Sequence, residues 1–304
     1  MSRPPERRAG VDEADCSGTT AVVTGSTTGI GREIALSLGR LGAHVVVHGR
    51  DRERGRDVVS ELDETAGSGE FVAADFATEA GVRSFADDVL DRVETVDLLF
   101  NNAGGFFRRG RLTDDGIETT FAVNHLAPFL LTHLLAPSMP DDGRVVTTSS
   151  GVHRQGGIDF DSFDTVDDYS GMTAYSQSKL ANVLFTRELA SRVDRLTANC
   201  FHPGFVPGSD FSRELPAPIR VSMKALSVVP GVGTSVEQGA ATGVYLGVSD
   251  DVAGTSGKYF AHCSEKRPAA AARDDRTAAR LWQRSEQLVG LTDAERIAPP
   301  ADAH

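Results

Sequence analysis

The feature that most constrains this chain is an alternation. Short runs of β-branched and apolar residues recur along it, each followed by a stretch of helical character. The runs are Thr19–Thr24, His44–His48, Phe71–Ala74, Val96–Phe100, Arg144–Thr148, Thr197–Phe201 and Lys258–Phe260. Helical stretches lie at Ile30–Leu41, Arg52–Glu64, Glu79–Val93, Gly116–Ala136 and Thr173–Val193, with later ones near Thr234–Leu246 and Thr277–Leu288. Strand, helix, strand in that order is the pattern of parallel strands joined by crossover helices. The runs are apolar nearly throughout, as strands covered on both faces should be. The expectation is an α/β fold, doubly wound, with a seven-stranded, mostly parallel sheet and helices on both faces.

The chain has 304 residues, 40% of them hydrophobic, enough for one sizeable core. No repeat and no linker interrupts it, so one domain is expected over residues 18–291, with flexible tails at 1–17 and 292–304. The first segment is charged, contains Pro4 and Pro5 and has no apolar stretch behind its arginines, which argues against a signal peptide. Phe121–Pro140 lacks Asp, Glu, Lys and Arg, but Asn124, His125, Thr132, His133 and two interior prolines make it a buried core helix and not a membrane span.

Charge and cysteine content narrow the function classes. Acidic residues number 43 against 31 basic, a formal charge of −12, which disfavours nucleic acid and anionic membranes as partners. Any anionic ligand must be held locally. Only four lysines are present, Lys179, Lys224, Lys258 and Lys266. Salt adaptation and a general bias toward Arg and Ala both fit that composition. Three scattered cysteines, Cys16, Cys200 and Cys263, fit a reducing, cytoplasmic setting. The eight histidines show no ligand spacing, so no metal is expected.

Directly after the first strand comes Thr24-Gly25-Ser26-Thr27-Thr28-Gly29-Ile30-Gly31, and a helix begins within it. A strand, a glycine turn and a helix N-terminus together present unpaired amides and a positive dipole end to a pyrophosphate. With this TGxxxGxG spacing the sequence resembles the short-chain dehydrogenase/reductase family. The resemblance continues at Asp75 after the third strand, at Asn101-Asn102-Ala103-Gly104 after the fourth and at His202-Pro203-Gly204 after the sixth, and it spans roughly Thr19 to Leu291. It implies a Rossmann-type fold and a nicotinamide dinucleotide held by Gly25, Ser26, Thr27, Thr28, Gly29, Ile30, Gly31, Asp75, Phe76, Asn102, Ala103, Gly104, Tyr175, Lys179, Pro203 and Gly204. The first long side chain past the second strand is Arg50, which suits a 2′-phosphate. NADP(H) is therefore favoured, although Asp51 beside it leaves NAD(H) open.

Tyr175-Ser176-Gln177-Ser178-Lys179 places a phenol and an ammonium four residues apart, on one face of a helix. A positive charge near a phenol stabilises its phenolate and lowers its pKa, which suits proton exchange with a carbonyl or alcohol oxygen. Ser150, at the end of the fifth strand, can orient that oxygen by a hydrogen bond; Ser149 competes, and spacing to Tyr175 favours Ser150. The family resemblance adds Asn124 as a fourth catalytic member, holding a water that links Lys179 to solvent, and gives Lys179 the nicotinamide ribose. A nucleophilic hydrolase built on Ser150 and His153 is disfavoured because no GxSxG surrounds the serine.

Within the family the chain is similar to retinol dehydrogenases, protochlorophyllide reductases and WW-domain oxidoreductases. Val123-Asn124-His125-Leu126, the run Ser178–Leu189, Ser256-Gly257-Lys258-Tyr259-Phe260 and Arg280-Leu281-Trp282 carry that likeness. Two long loops, Gly151–Ser170 and Phe205–Gly233, follow strand ends where ligands sit in such sheets. Phe106, Phe107, Phe160, Phe163, Phe205 and Phe211 put aromatic rings near the expected mouth, favouring an apolar carbonyl or alcohol. Arg108 and Arg109 would meet an acidic group on it or stay solvated. The resemblance also implies a homodimer or homotetramer formed through the helices near Gly116–Ala136 and Thr173–Val193. The resulting expectation is an NADP-preferring oxidoreductase acting on CH–OH and C=O groups. A cofactor-binding scaffold and an epimerase or dehydratase are the alternatives.

Overall fold

The computed structural model describes residues 3–206 and 233–297. The expected loop Phe205–Gly233, with Phe211 and Lys224, lies mostly outside them. The chain opens with α1 (Pro5–Ala9), then runs β1 (Thr20–Val23), α2 (Gly29–Arg40), β2 (His44–Gly49), α3 (Arg52–Asp63), β3 (Ser68–Ala73), α4 (Glu79–Leu90) and β4 (Leu98–Asn101). Next come α5 (Thr119–Phe121), a π-helical turn (Ala122–Leu126), α6 (Ala127–Leu135), β5 (Arg144–Thr148), α7 (Gly171–Arg192) and β6 (Thr197–His202). It closes with α8 (Val236–Val248), β7 (Lys258–Ala261), β8 (Ser264–Lys266) and α9 (Asp275–Leu288).

Among the described residues eight strands form one sheet in the order β3-β2-β1-β4-β5-β6-β7-β8. All neighbours are parallel except β7 and β8. The doubly wound architecture is as expected, with one strand more than the seven read from sequence. The extra strand, Ser264-Glu265-Lys266, is polar and exposed and carries no apolar pattern to announce it. Its partner is fixed by the turn: His262 and Cys263 both have φ near 54°, the left-handed pair that a two-residue hairpin requires.

Successive residues of each strand serve opposite cores. Val22, Val46, Leu99 and Val145 face a layer with Phe85, Phe129, Leu184 and Trp282 of α4, α6, α7 and α9. Ala21, Val23, Val45 and Val47 face the other, with Ile34, Leu38, Val58 and Val244 of α2, α3 and α8. Fully burying each such aliphatic side chain stabilises by about 1.5–3 kcal/mol, which fixes the strand register.

The first residues, read as a flexible tail, are instead docked. Pro5 opens α1 at its first position and Gly10 closes it in the left-handed conformation. Buried Glu6 accepts hydrogen bonds from Ser37 Oγ at 2.7 Å and Arg40 Nε at 2.8 Å, and Val11 and Cys16 join the core beside α2. At the other end Glu295 accepts from Thr292 and pairs with Arg83 of α4, so residues 292–297 also lie against the domain.

One further expectation is revised. The single helix read at Gly116–Ala136 is divided by the π turn, which places Asn124 and His125 in the core, 0% and 1% exposed. α9 packs on α6 and α7, the helices through which assembly is expected, with Trp282 2% exposed between Phe129, His133 and Phe185. No helix of the described residues is long and apolar enough to cross a membrane.

Candidate active site

The glycine turn is held from three sides. Thr24 Oγ donates to Phe100 O and accepts the amides of Asn102 and Ala103 at 2.9 and 3.0 Å, locking the end of β1 to the end of β4. Asn102 Nδ2 donates to the carbonyls of Thr24 and Gly25. From β2, His48 Nδ1 accepts the Gly25 amide at 3.0 Å. That acceptor role puts the imidazole proton on Nε2, which faces Ala74 O at 3.3 Å. Burial holds His48 neutral, pushing its pKa down to about 3, and its ring stacks on Phe76 at 3.9 Å.

The turn's dimensions fit a dinucleotide phosphate. A Cβ on Gly25 would come within 2.8 Å of Ala103 Cα, and one on Gly31 within 2.4 Å of Asn102 Nδ2 and of Gly25 O. Gly29, by contrast, has φ +58° and nothing within 4 Å of where its Cβ would be, so the first turn of α2 opens onto free space. Thr28 caps that helix, Ile30 leans on the core, and Ser26 is buried, donating to Val23 O at 2.6 Å. Thr27 packs against Gly49, leaving the exposed Arg50 at the lip of the turn. Asp75 is exposed beyond β3, its Oδ1 accepting the Ala77 amide at 3.1 Å. The Phe76 ring is 5% exposed and packs into the core against His48.

Asn124, Ser150, Tyr175 and Lys179 converge. The phenol of Tyr175, on the first turns of α7, has the Ser150 hydroxyl as its polar neighbour, which favours the ionised form of the phenol. Lys179 Nζ lies 5.7 Å from the Tyr175 ring centroid and donates to Thr148 O at 3.1 Å. A Cβ on Gly104 would sit 2.9 Å from Asn124 Oδ1 and 3.5 Å from Lys179 Nζ, so the β4 loop closes over both. Ser149 turns inward, donating to Lys179 O at 2.8 Å. The geometry thus separates the two serines in favour of Ser150.

The charge states differ from the simple expectation. Burial pushes Tyr175 up to about 12, against the lowering that a nearby ammonium alone would give, and pushes Lys179 down to about 8. Desolvation is the dominant influence at the phenol, and the Ser150 hydroxyl offsets part of it. At neutral pH the tyrosine keeps its proton, while the lysine stands close to losing one.

Several further residues position these groups. Asn124 Oδ1 accepts the Gly105 amide, and its Nδ2 donates to Gly105 O and Ser178 Oγ. Asn182, one turn beyond Lys179, donates to both Asn124 O and Thr148 O at 2.9 and 3.2 Å. His202 Nδ1 accepts the amides of Gly151 and Gly204, tying the step after Pro203 to the turn after Ser150; burial holds it neutral, its pKa pushed down to about 4. Thr24, Asn182 and His202 lie inside stretches quoted for the family likeness, but their positioning roles, like that of His48 in the apolar second strand, show only once their partners are known.

The aromatic mouth is smaller than expected. Phe106 stands edge-on to Tyr175 at 6.0 Å and Phe205 is 44% exposed. Phe163 is fully buried and stacked on Phe121, and Phe160 lies under the Arg280 guanidinium at 3.8 Å. Both serve packing. Arg108 and Arg109 are exposed on the loop after Phe107.

The short chain dehydrogenase family profile matches residues 19–219, two thirds of the chain. This sheet order, glycine turn and convergent Ser, Tyr and Lys accord with that match, and the chain belongs to the short-chain dehydrogenase/reductase family of oxidoreductases. Its branch is the retinol dehydrogenase-like one. The chain is 41% identical to Dehydrogenase/reductase SDR family member 13 of Bos taurus over 93% of its own length and 76% of that protein's. It is 37% identical to Retinol dehydrogenase 14 of Homo sapiens, over 93% of this chain and 90% of the relative. A solved Beutenbergia cavernae protein, assigned as an NAD(P)-dependent gluconate 5-dehydrogenase and holding NADP at low occupancy, is similar with a TM-score of 0.66 and 30% identity, covering 82% of this chain and 96% of that one. The family and the cradle together assign a nicotinamide dinucleotide cofactor and a small-molecule substrate.

Proposed function

We propose that the protein interconverts an apolar carbonyl compound and its alcohol, with NADP(H) preferred and a cytosolic setting. The observation that carries this reading is the convergence of Tyr175 and Ser150 with Lys179, which is buried 5.7 Å from the Tyr175 ring centroid. When bound, the nicotinamide supplies or accepts a hydride at its C4. The chain's own residues do the rest. Ser150 Oγ and Tyr175 Oη converge on the substrate oxygen, one orienting it and the other delivering or accepting its proton. A phenol held protonated by burial suits carbonyl reduction at neutral pH. Lys179, with its pKa drawn toward ambient pH, is placed to restore that proton, and Asn124 and Asn182 hold the backbone around it. Arg50 at the lip of the turn supports the NADP preference, and Phe106 against Tyr175 supports an apolar substrate. Three free cysteines support the cytosolic setting.

Tyr175→Phe tests the central role with almost no change in shape. In an NADPH-coupled carbonyl panel, kcat is expected to fall about 100- to 10,000-fold while cofactor affinity stays within about twofold. Activity within about tenfold of the unaltered protein would remove Tyr175 from proton transfer.

A further inference from the structure

Beyond Lys179 along α7 lies an open cleft of about 330 Å³, between the later turns of that helix and the β7–β8 hairpin. Its walls are set by Val183 and Arg187 of α7, by residues 257–259 and 265–268, and by Arg273. Five of these ten residues are basic: Arg187, Lys258, Lys266, Arg267 and Arg273. Across the chain only 31 of 304 residues are basic and the formal charge is −12, so this density is a local reversal of sign. Two of the four lysines are here.

The cations exceed the anions available to them. Glu265 lies 3.7 Å from Lys258, and Arg187 Nη2 bonds the exposed Asp275 at 2.7 Å. No carboxylate of the described residues pairs with Lys266, Arg267 or Arg273 in a salt bridge. Arg187 Nε is buried and makes no hydrogen bond, so the protein itself does not satisfy this guanidinium in full.

The frame behind these charges is fixed. Arg154 Nη2 donates to Arg267 O at 2.7 Å, and the Ala269 amide donates to His153 Nε2 at 3.1 Å. The Tyr259 ring packs on His153 at 4.8 Å. The backbone that carries the basic side chains is thus already ordered, which lowers the cost of gathering them around a ligand.

We propose that this cleft binds a phosphate group, with Arg187, Lys258, Lys266, Arg267 and Arg273 as its ligands. Guanidinium and ammonium donors converging from several directions match a multiply charged oxyanion better than a single carboxylate. The volume suits a diphosphate-sized molecule. None of these residues belongs to the glycine turn, Arg50 or the tyrosine site, so the proposal stands apart from the hydride chemistry.

The test uses the full chain saturated with NADP, so that the glycine turn is not offered to the probe. Inorganic pyrophosphate is titrated against thermal stability, with sodium chloride at equal ionic strength as the control. A saturable rise in Tm beyond the chloride control is expected. It should weaken at least about tenfold in apparent affinity in Lys266→Gln/Arg273→Gln, two exposed positions whose loss leaves the fold intact. Should that pair lower the unliganded Tm, Arg267→Gln serves as the second variant. Co-sedimentation with phosphatidic acid vesicles forms the other arm. Pyrophosphate binding identifies a soluble phosphate as the source, and vesicle binding without it identifies a lipid headgroup. A response to neither probe, or one that the substitutions leave unchanged, overturns the site.

Discussion

Arg50 leaves the end of β2 exposed, one residue past the glycine that packs on Thr27, and in the proposed NADP preference it is the residue that meets the 2′-phosphate. A charge-assisted arginine–phosphate bond contributes about 1.5–3 kcal/mol, or roughly ten- to a hundredfold in affinity. Arg50→Ala is therefore expected to lower the NADP-to-NAD affinity ratio by that factor, read by fluorescence titration of both cofactors. An unchanged ratio sinks the assignment. A second residue, Lys179, governs the pH response. Its pKa is drawn down to about 8 by burial, so its charge is present below that value and lost as pH rises through it. Tyr175, at about 12, keeps its proton over the same range. Carbonyl reduction should accordingly decline on the alkaline side of about pH 8, and in Lys179→Arg, whose side chain stays charged, whatever activity remains should lack that limb. A limb that stays put in the arginine variant would assign it to another group.

At the scale of elements, what could be read in advance divides by the origin of the signal. The strands found in the sequence are legible because their runs are apolar and, apart from the partly buried edge strand β3, lie between two helical layers. The Ser150, Tyr175 and Lys179 site is legible because its chemistry fixes residue type and spacing. β8 and α1 are not, since a three-residue polar strand and a five-residue helix owe their order to a left-handed turn and to the docking of Glu6 on Arg40. The π turn at Ala122–Leu126 shifts the helical register at Asn124, and such turns favour functional sites without a sequence mark of their own. The start of α2 offers a test that separates fold from ligand. An added methyl at Gly31 meets the Gly25 carbonyl and Asn102 at 2.4 Å, so Gly31→Ala should cost about 1–3 kcal/mol and weaken the cofactor together with Tm. Gly29→Ala meets nothing, and its left-handed φ costs only about 1–2 kcal/mol, but its methyl enters the cradle. Cofactor affinity should fall there by more than that strain accounts for. If both variants lose stability and affinity in the same proportion, the cradle does not hold the phosphates where the open space lies.

The whole molecule keeps for itself a surface that the sequence suggests would be shared. α6 and α7 are the helices through which assembly was expected, yet α9 lies across them. Trp282 is wedged against Phe129 and Phe185 with the Arg192 guanidinium 4.6 Å over its ring, and Ser285 Oγ meets His125 Nε2 at 3.0 Å. The indole N–H donates to Glu286 at 2.9 Å, so nothing polar on Trp282 is left wanting. A second copy could take this position only by expelling a tryptophan whose burial is worth about 3–5 kcal/mol against truncation to alanine. Few docking surfaces of the size a stable dimer needs would repay that displacement on each side. The protein is therefore expected to have no contact between copies through α6 and α7. Light scattering should give a mass near the 32.3 kDa of one chain, or a dimer whose cross-links avoid both helices. Trp282→Ala removes the wedge and bares the apolar face, so that variant should lose several kcal/mol of stability and self-associate in a concentration-dependent way. A dimer of the unaltered protein cross-linked between α6 or α7 of the two copies would show instead that α9 yields its place on assembly.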